Sequence, residues 1–103
     1  MWQIDFNEVA KADLLRFDKQ VRNRILKFLE ERVAAHPAPK QIAEPLAGKF
    51  KGLHRFRVGD YRIVAYIREN HLMILVLFLD HRSAVYKRRS LPNDFEIESG
   101  EGK

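Results

Sequence analysis

The chain has no cysteine among its 103 residues, which excludes disulfides, thiolate metal sites and cysteine nucleophiles together. Its longest uninterrupted apolar run, residues 72–79, is much shorter than the roughly 20 residues that a membrane-spanning helix needs. The first 15 residues have no apolar segment with a basic flank and no small-residue cleavage site, which argues against a signal peptide. These absences predict a protein that works in the cytoplasm and does not bind a membrane.

The sequence also lacks the motifs that bind common cofactors. It has no glycine-rich loop for phosphates or dinucleotides and no Gly-x-Ser-x-Gly turn of the hydrolases. The four histidines, which are His36, His54, His71 and His81, do not have the spacing of metal ligands. We therefore expect neither a metal nor an organic cofactor, and any chemistry must come from the other side chains.

Positive charge is what the chain has in excess. It carries 19 lysines and arginines against 14 acidic residues, so its net charge is +5 and its pI is near 9.7. Such a balance favours a polyanion or an acidic protein as the partner. The length predicts a single domain with one core, at residues 1–90, followed by a polar and flexible tail at residues 91–103.

Apolar periodicity predicts a short strand, then two helices, then three further strands. Asn7 and Asp18 are the expected N-caps of the helices, and the prolines within residues 36–39 should end the second helix. The strands are predicted at residues 3–6, 49–58, 61–68 and 71–80, with a Gly59-Asp60 turn before the third of them. We expect an α+β fold in which an N-terminal helical hairpin packs on a twisted antiparallel sheet.

Alternation along residues 49–58 places four cations on one face of a strand, namely Lys49, Lys51, Arg55 and Arg57. Arg62 begins the strand that returns beside them, so the three guanidinium groups should converge. Arginine offers a rigid fork of donors that suits phosphate oxygens, and such a face favours an RNA or DNA backbone. The alternative is that these cations keep an exposed strand soluble and protect it from pairing with other chains.

Tyr86 lies in a polar and cationic segment, where burial in a core is harder to explain than it is for Tyr61. One interpretation is a ring that stacks on an unpaired base, and the other is a half-buried tyrosine at a sheet edge. His81 is a candidate for proton transfer because histidine is the side chain suited to it near neutral pH, although a single histidine is more often structural.

Two segments together resemble the RelE/ParE superfamily of toxins from bacterial toxin-antitoxin systems, and its RelE branch in particular. They are LAGKFKGLHRFRVGDYRIVAY at residues 46–66 and HRSAVYKR at residues 81–88, with an apolar strand between them. The resemblance covers residues 2–88 and implies the fold of that family. It also implies a ribosome-dependent mRNA endoribonuclease that needs no metal and inhibits translation.

The resemblance implies catalytic roles for five residues, Arg55, Arg57, Arg62, Arg82 and Tyr86. The expected RNA-binding residues around them are Lys49, Lys51, His81 and Lys87. In the implied reaction a ribose 2′-hydroxyl attacks the adjacent phosphodiester and gives a 2′,3′-cyclic phosphate and a 5′-hydroxyl. Since arginine is a poor general base, the base is left open between Tyr86, His81 and the ribosome.

Two other functions remain open from the sequence, a ParE-like inhibitor of DNA gyrase without catalysis and a non-toxic binding module of the same fold. As partners, the resemblance implies a cognate antitoxin, the ribosome with its mRNA, and a higher-order toxin-antitoxin complex on promoter DNA. The positive face gives a physical reason for an acidic or amphipathic antitoxin segment to dock and become ordered.

Overall fold

The computed structural model describes residues 1–87, in which two α-helices pack on one five-stranded sheet. The strands and α-helices are β1 (Gln3–Phe6), α1 (Glu8–Arg16), α2 (Lys19–Phe28), β2 (Glu44–Pro45), β3 (His54–Val58), β4 (Tyr61–Arg68) and β5 (Met73–His81). The predicted α+β class is confirmed. The predicted tail at residues 91–103 lies outside the described residues, as do the last residues of the predicted domain.

Both helices begin where the sequence predicts. The Asn7 side chain accepts a hydrogen bond from the backbone N–H of Ala10 at 2.9 Å, and the Asp18 carboxylate accepts one from Val21 at 3.0 Å. These bonds satisfy backbone donors that the first helical turn leaves unpaired. Beyond α2 the chain makes one wider π-helical turn, Leu29–Val33. Within residues 1–87 no helix is long and apolar enough to cross a membrane.

The sheet is mixed, with the strand order β1-β5-β4-β3-β2. The predicted antiparallel pairing is correct for β2 with β3, β3 with β4, and β4 with β5, but β1 pairs parallel to β5. The physical reason is the crossover. Since α1 and α2 carry the chain over one face of the sheet to its opposite edge, the later strands fill the sheet back toward β1. The apolar strand β5 is thereby paired on both sides.

The second predicted strand is shorter than residues 49–58, because β3 begins only at His54. Gly48 and Gly52 have φ angles of +65° and +97°, which belong to turns and interrupt an extended strand. Lys49 therefore lies in a 3-10 turn, and Lys51 comes just after it. The sequence does not predict the edge strand β2, since a strand of two residues is too short to show periodicity.

Apolar side chains cover both faces of the sheet. On the helical face, α1, α2 and the π-helical turn pack on β3, β4 and β5 through Leu14, Ile25, Leu29, Phe56, Ile63, Ala65 and Leu79. The opposite face is a smaller cluster of Phe50, Leu53, Val64, Tyr66, Leu77, Phe78 and Val85. The pairing register of β4 with β5 shifts at a β-bulge between Val64 and Ala65.

One charged side chain is buried in this scaffold. The Asp13 carboxylate, on α1, accepts a hydrogen bond from the backbone N–H of Leu79 at 2.9 Å and one from Arg16 at 2.8 Å. Leu79 lies past the end of the β1 ladder, so the carboxylate satisfies a donor of β5 that β1 does not reach. Asp13 thereby ties α1 to the end of β5 that enters the site described next.

Candidate active site

An open cleft of about 450 Å³ lies at the end of the sheet where β3 turns into β4 and where β5 ends. It is lined by Arg55, Arg57, Arg62, His81, Arg82, Ser83, Val85 and Tyr86. The Gly59-Asp60 turn brings Arg57 and Arg62 directly opposite each other in the β3–β4 ladder. Gly59 has φ +58°, so the tight turn that sets this pairing uses a conformation that favours glycine.

Arg62 has no carboxylate partner among residues 1–87. Its guanidinium donates to two backbone carbonyl oxygens, that of Gly59 at 3.1 Å and that of Tyr61 at 3.0 Å. Two like charges directly opposite on a strand pair are unfavourable. An anion placed between Arg57 and Arg62 would therefore relieve the repulsion between their guanidinium groups.

Glu44, on the edge strand β2, holds the other two strand arginines. Its carboxylate accepts from Arg55 Nε at 2.7 Å and from Arg57 at 2.9 and 3.2 Å. The hydrogen bond from Arg55 is the main cause that lowers the pKa of Glu44, and the same bond raises the pKa of Arg55. Glu44 is therefore a carboxylate at neutral pH, and it fixes two guanidinium groups at the wall of the cleft.

Arg55 also reaches Tyr86 across the cleft wall. Its Nη1 donates to the Tyr86 hydroxyl oxygen at 3.2 Å, and the Tyr86 ring packs against Phe50 with 5.6 Å between ring centroids. Tyr86 is thus half-buried through its ring, with its hydroxyl at the cleft. It lies in a turn after β5 and not in a strand, which corrects the sheet-edge interpretation.

The segment after β5 supplies the remaining groups. The backbone N–H of Arg82 donates to the carbonyl of Asp60 at 2.7 Å, and Arg82 Nε lies 3.6 Å from the Asp60 carboxylate. His81 Nδ1 accepts from the backbone N–H of Ser83 at 3.2 Å and lies 2.8 Å from Ser83 Oγ. Since Nδ1 is an acceptor here, a neutral His81 carries its proton on Nε2.

The structure thus brings together six of the nine residues singled out in the sequence, Arg55, Arg57, Arg62, His81, Arg82 and Tyr86. Lys49, Lys51 and Lys87 do not line the cleft. Lys49 Nζ lies 5.2 Å from the ring centroid of Phe50, which itself packs on Tyr86, so Lys49 is a neighbour of the site and not a wall of it. Among residues 1–87 no group of acidic or histidine side chains is arranged to hold a metal ion.

Sequence reasoning missed Glu44. Its role depends on the register that sets Glu44 opposite Arg55 across β2 and β3. That pairing joins residues on either side of two turns, and no periodicity within the two-residue strand β2 reveals it. The one available signal was a lone carboxylate shortly before a run of cations, which by itself does not identify a partner.

A helical hairpin on a five-stranded mixed sheet, with an arginine-lined cleft where three strands end, defines the class as a small α+β protein. The family model described as "ParE toxin of type II toxin-antitoxin system, parDE" matches residues 4–86. The chain therefore belongs to this family of toxins, and its resemblance to the RelE/ParE superfamily is confirmed.

Individual relatives agree with that assignment. The chain is 27% identical over 86 residues to Toxin RelE of Mycobacterium tuberculosis, covering 84% of this chain and 87% of the relative. It is 24% identical over 87 residues to Toxin RelG of the same organism, with coverage of 84% and 98%.

Solved structures share the fold. The toxin-antitoxin complex RelBE2 of Mycobacterium tuberculosis contains a chain with a TM-score of 0.72 and 23% identity, over 80% of this chain and 92% of that one. The intact E. coli RelBE complex gives a TM-score of 0.63 and 20% identity, over 79% and 96%.

Proposed function

We propose that this toxin is an endoribonuclease that cleaves mRNA on the ribosome and so inhibits translation. The observation that carries the proposal is Arg62, a guanidinium with no carboxylate partner among residues 1–87, in a cleft that Arg57 and Tyr86 also line. The cleft offers positive charge for one phosphate together with a hydroxyl group. The RelE and RelG relatives support a toxin of this kind.

The reaction uses a nucleophile that the RNA itself provides. The ribose 2′-oxygen attacks the adjacent phosphorus and loses its proton to a base, either the Tyr86 phenolate or a group of the ribosome, while the bond from phosphorus to the 5′-oxygen breaks. The leaving 5′-oxygen takes up a proton, so the products are a 2′,3′-cyclic phosphate and a 5′-hydroxyl. The protein has to orient the 2′-hydroxyl, stabilise the extra negative charge on phosphorus, and serve both proton transfers.

Each cleft residue fits one of these tasks. Arg62 stabilises the transition-state phosphate, and Arg57 helps to hold it. Tyr86, whose hydroxyl oxygen already accepts from Arg55, keeps its own O–H free to orient the 2′-hydroxyl. In its protonated form His81 can give the Nε2 proton to the leaving 5′-oxygen while Nδ1–H donates to Ser83 Oγ, 2.8 Å away, and Arg82 assists at that oxygen.

The partners follow from the same assignment. We propose a cognate antitoxin, in keeping with the solved complexes that share this fold, and a segment of acidic or amphipathic character as the part that covers the cleft. The ribosome and its mRNA are the targets in the cytoplasm, and a higher-order toxin-antitoxin complex on promoter DNA is the expected regulatory form.

The test is mapping of mRNA 5′ ends in a translation reaction with purified ribosomes and in the same reaction without them. Wild-type toxin should cut at fixed codon positions only with ribosomes. Arg62→Ala should lower the single-turnover rate by about 100-fold to 1000-fold, as expected for losing one preorganised donor. Lys19→Ala, which removes an exposed cation of α2 that does not line the cleft, should cut like wild type and is the matched control.

Inhibition of DNA gyrase without catalysis is the second candidate, and the ParE name of the matching family favours it. In that case mRNA stays intact in the reaction above, whereas purified gyrase loses supercoiling activity when the toxin is added. Intact mRNA together with active gyrase would contradict both candidates and leave a binding module.

A further inference from the structure

A second group of cations lies beside the cleft, in a groove between α2 and the β3–β4 hairpin. This α2 groove has a volume of about 400 Å³ and is lined by Arg24, Lys27, Phe28, Arg32, Arg57 and Gly59, with the acidic Glu31 at its side. An adjoining hollow of about 310 Å³ shares Phe28, Arg32 and Arg57 with it and reaches Arg55 and its carboxylate partner Glu44. Because Arg55 and Arg57 also line the cleft, the groove and the cleft form one continuous surface.

The helix spaces these cations along a line. Arg24 and Lys27 lie three positions apart on one face of α2. Arg32 follows five positions later, after the wider π-helical turn, and lines the same groove. The rise of α2 and its continuation carries that row over about 12 Å. A stacked nucleic-acid strand has one phosphate per about 3.4 Å, so the row spans three or four phosphates.

These three cations are not used to hold the fold. All three are exposed, and none has a carboxylate partner among residues 1–87. The Arg24 guanidinium lies against Gly59, where an added Cβ would come within 2.7 Å of it. Glu31 offsets one of the three charges, which leaves the groove positive.

An aromatic side chain lies among the cations. The Phe28 ring packs edge-on against Phe56 of the core, with 6.3 Å between centroids, and is only half-buried. Its remaining surface faces both the groove and the adjoining hollow. A cationic track with an exposed aromatic ring is the arrangement by which proteins hold single-stranded nucleic acid without reading its sequence.

We propose that the α2 groove binds the sugar-phosphate backbone of the mRNA strand next to the bond that the cleft cuts, with one base stacked on Phe28. The identity of this strand rests on the proposed function. Continuity through Arg57 is the reason for choosing the cleaved strand over a separate RNA, since one chain can run from the groove into the cleft past the Arg57–Glu44 ion pair.

The experiment measures binding of a fluorescent single-stranded RNA of 12 nucleotides with every 2′-hydroxyl methylated, so that no cleavage follows. The groove variant Arg24→Glu/Lys27→Glu is compared with the control Lys11→Glu/Lys19→Glu, which changes the net charge equally at exposed positions away from the groove. The groove variant should bind about 10-fold more weakly than the control at low salt. Its plot of log affinity against log salt should be shallower by about 1.4, which is about 0.7 for each lost phosphate contact.

Phe28→Leu separates stacking from charge. It should weaken binding about five-fold or more, which is the low end of the affinity that one base gains by stacking on an aromatic ring. The salt dependence of binding should stay unchanged. Circular dichroism checks that each variant is folded. If the groove variant binds the RNA as tightly as the control, the inference is wrong.

Two further results also overturn it. One is a groove variant that binds the RNA normally but loses affinity for ribosomes without mRNA, which would make the groove a contact to ribosomal RNA. The other is a loss confined to antitoxin binding, which would make it a protein interface. The proposed function is judged separately by cleavage, since Arg62→Ala should remove ribosome-dependent cutting if that function is right, whatever the groove variant does to RNA binding.

Discussion

Replacing the buried Asp13 by alanine should lower the free energy of unfolding by about 2–3 kcal/mol. The Asp13 side chain is 6% exposed, and its loss leaves the backbone N–H of Leu79 buried without this acceptor. A buried donor left unpaired costs about 1–3 kcal/mol. The ion pair with Arg16, whose side chain is 54% exposed, adds less than about 1 kcal/mol, because solvent screens it.

The matched variant is Asp13→Asn, which keeps an oxygen acceptor for Leu79 and removes only the charge that faces Arg16. It should cost less than about 1 kcal/mol. For a domain of this size the melting temperature falls by about 4–8 °C per kcal/mol, so alanine should lower it by about 10 °C or more and asparagine by a few degrees.

Urea unfolding followed by fluorescence of the single tryptophan, Trp2, measures both changes, since this residue is buried in the core. The reasoning is refuted if the alanine variant unfolds at the wild-type urea concentration. It is also refuted if asparagine costs as much as alanine, because the negative charge and not the hydrogen bond to Leu79 would then hold α1 on β5.

Three further predictions concern the cleft. Glu44→Gln should tighten binding of the methylated RNA about five-fold at low salt, since one negative charge near a phosphate is worth about 1 kcal/mol in water. It should also slow cleavage at saturating mRNA about 10-fold or more, because Arg55 is held less firmly. Weaker RNA binding would contradict this prediction. The lowered pKa of Glu44 means that its contribution to stability is present above about pH 4.5 and is lost as the pH falls through the lower folded-state value. Acid titrations of stability should therefore show a smaller loss in Glu44→Gln than in wild type, and parallel curves would argue against the ion pair. Tyr86→Phe keeps the ring against Phe50 and should change the free energy of unfolding by less than about 1.5 kcal/mol. It should nevertheless lower the cleavage rate about 100-fold. Full activity in single-turnover assays would show that the hydroxyl takes no part in the reaction.

Features set by neighbouring residues could be predicted from the sequence. The caps at Asn7 and Asp18 act within one helical turn, and the Gly59-Asp60 turn fixes how β3 meets β4. Alternation then placed Arg55 and Arg57 on the same side and Arg62 beside them, because side-chain direction in a strand repeats every two residues. The same rule failed for Lys49, since it assumes an extended backbone and the glycines at 48 and 52 interrupt it.

Features set by distant parts of the chain could not be predicted. The carboxylates of Asp13 and Glu44 gain their roles only when α1 packs on β5 and when β2 pairs with β3. An acidic residue among cations has many available partners, and the strand register selects one of them. The groove beside α2 is a similar case, because the helix pattern shows its cations but not that the hairpin turn lies against them.

The parallel pairing of β1 with β5 has a consequence for when the toxin becomes harmful. Gln3 pairs with Met73, and Asp13 accepts a hydrogen bond from Leu79. The first strand and helix can therefore dock only after these distant residues have been synthesised. Contacts this far apart in sequence make folding late and slow. The arginines of β3 and β4 are synthesised well before His81, Arg82 and Tyr86, and the cleft has no second wall until those residues have left the exit tunnel. The site therefore forms only after its last-synthesised wall has joined the arginines of β3 and β4, and a partly made chain does not contain it.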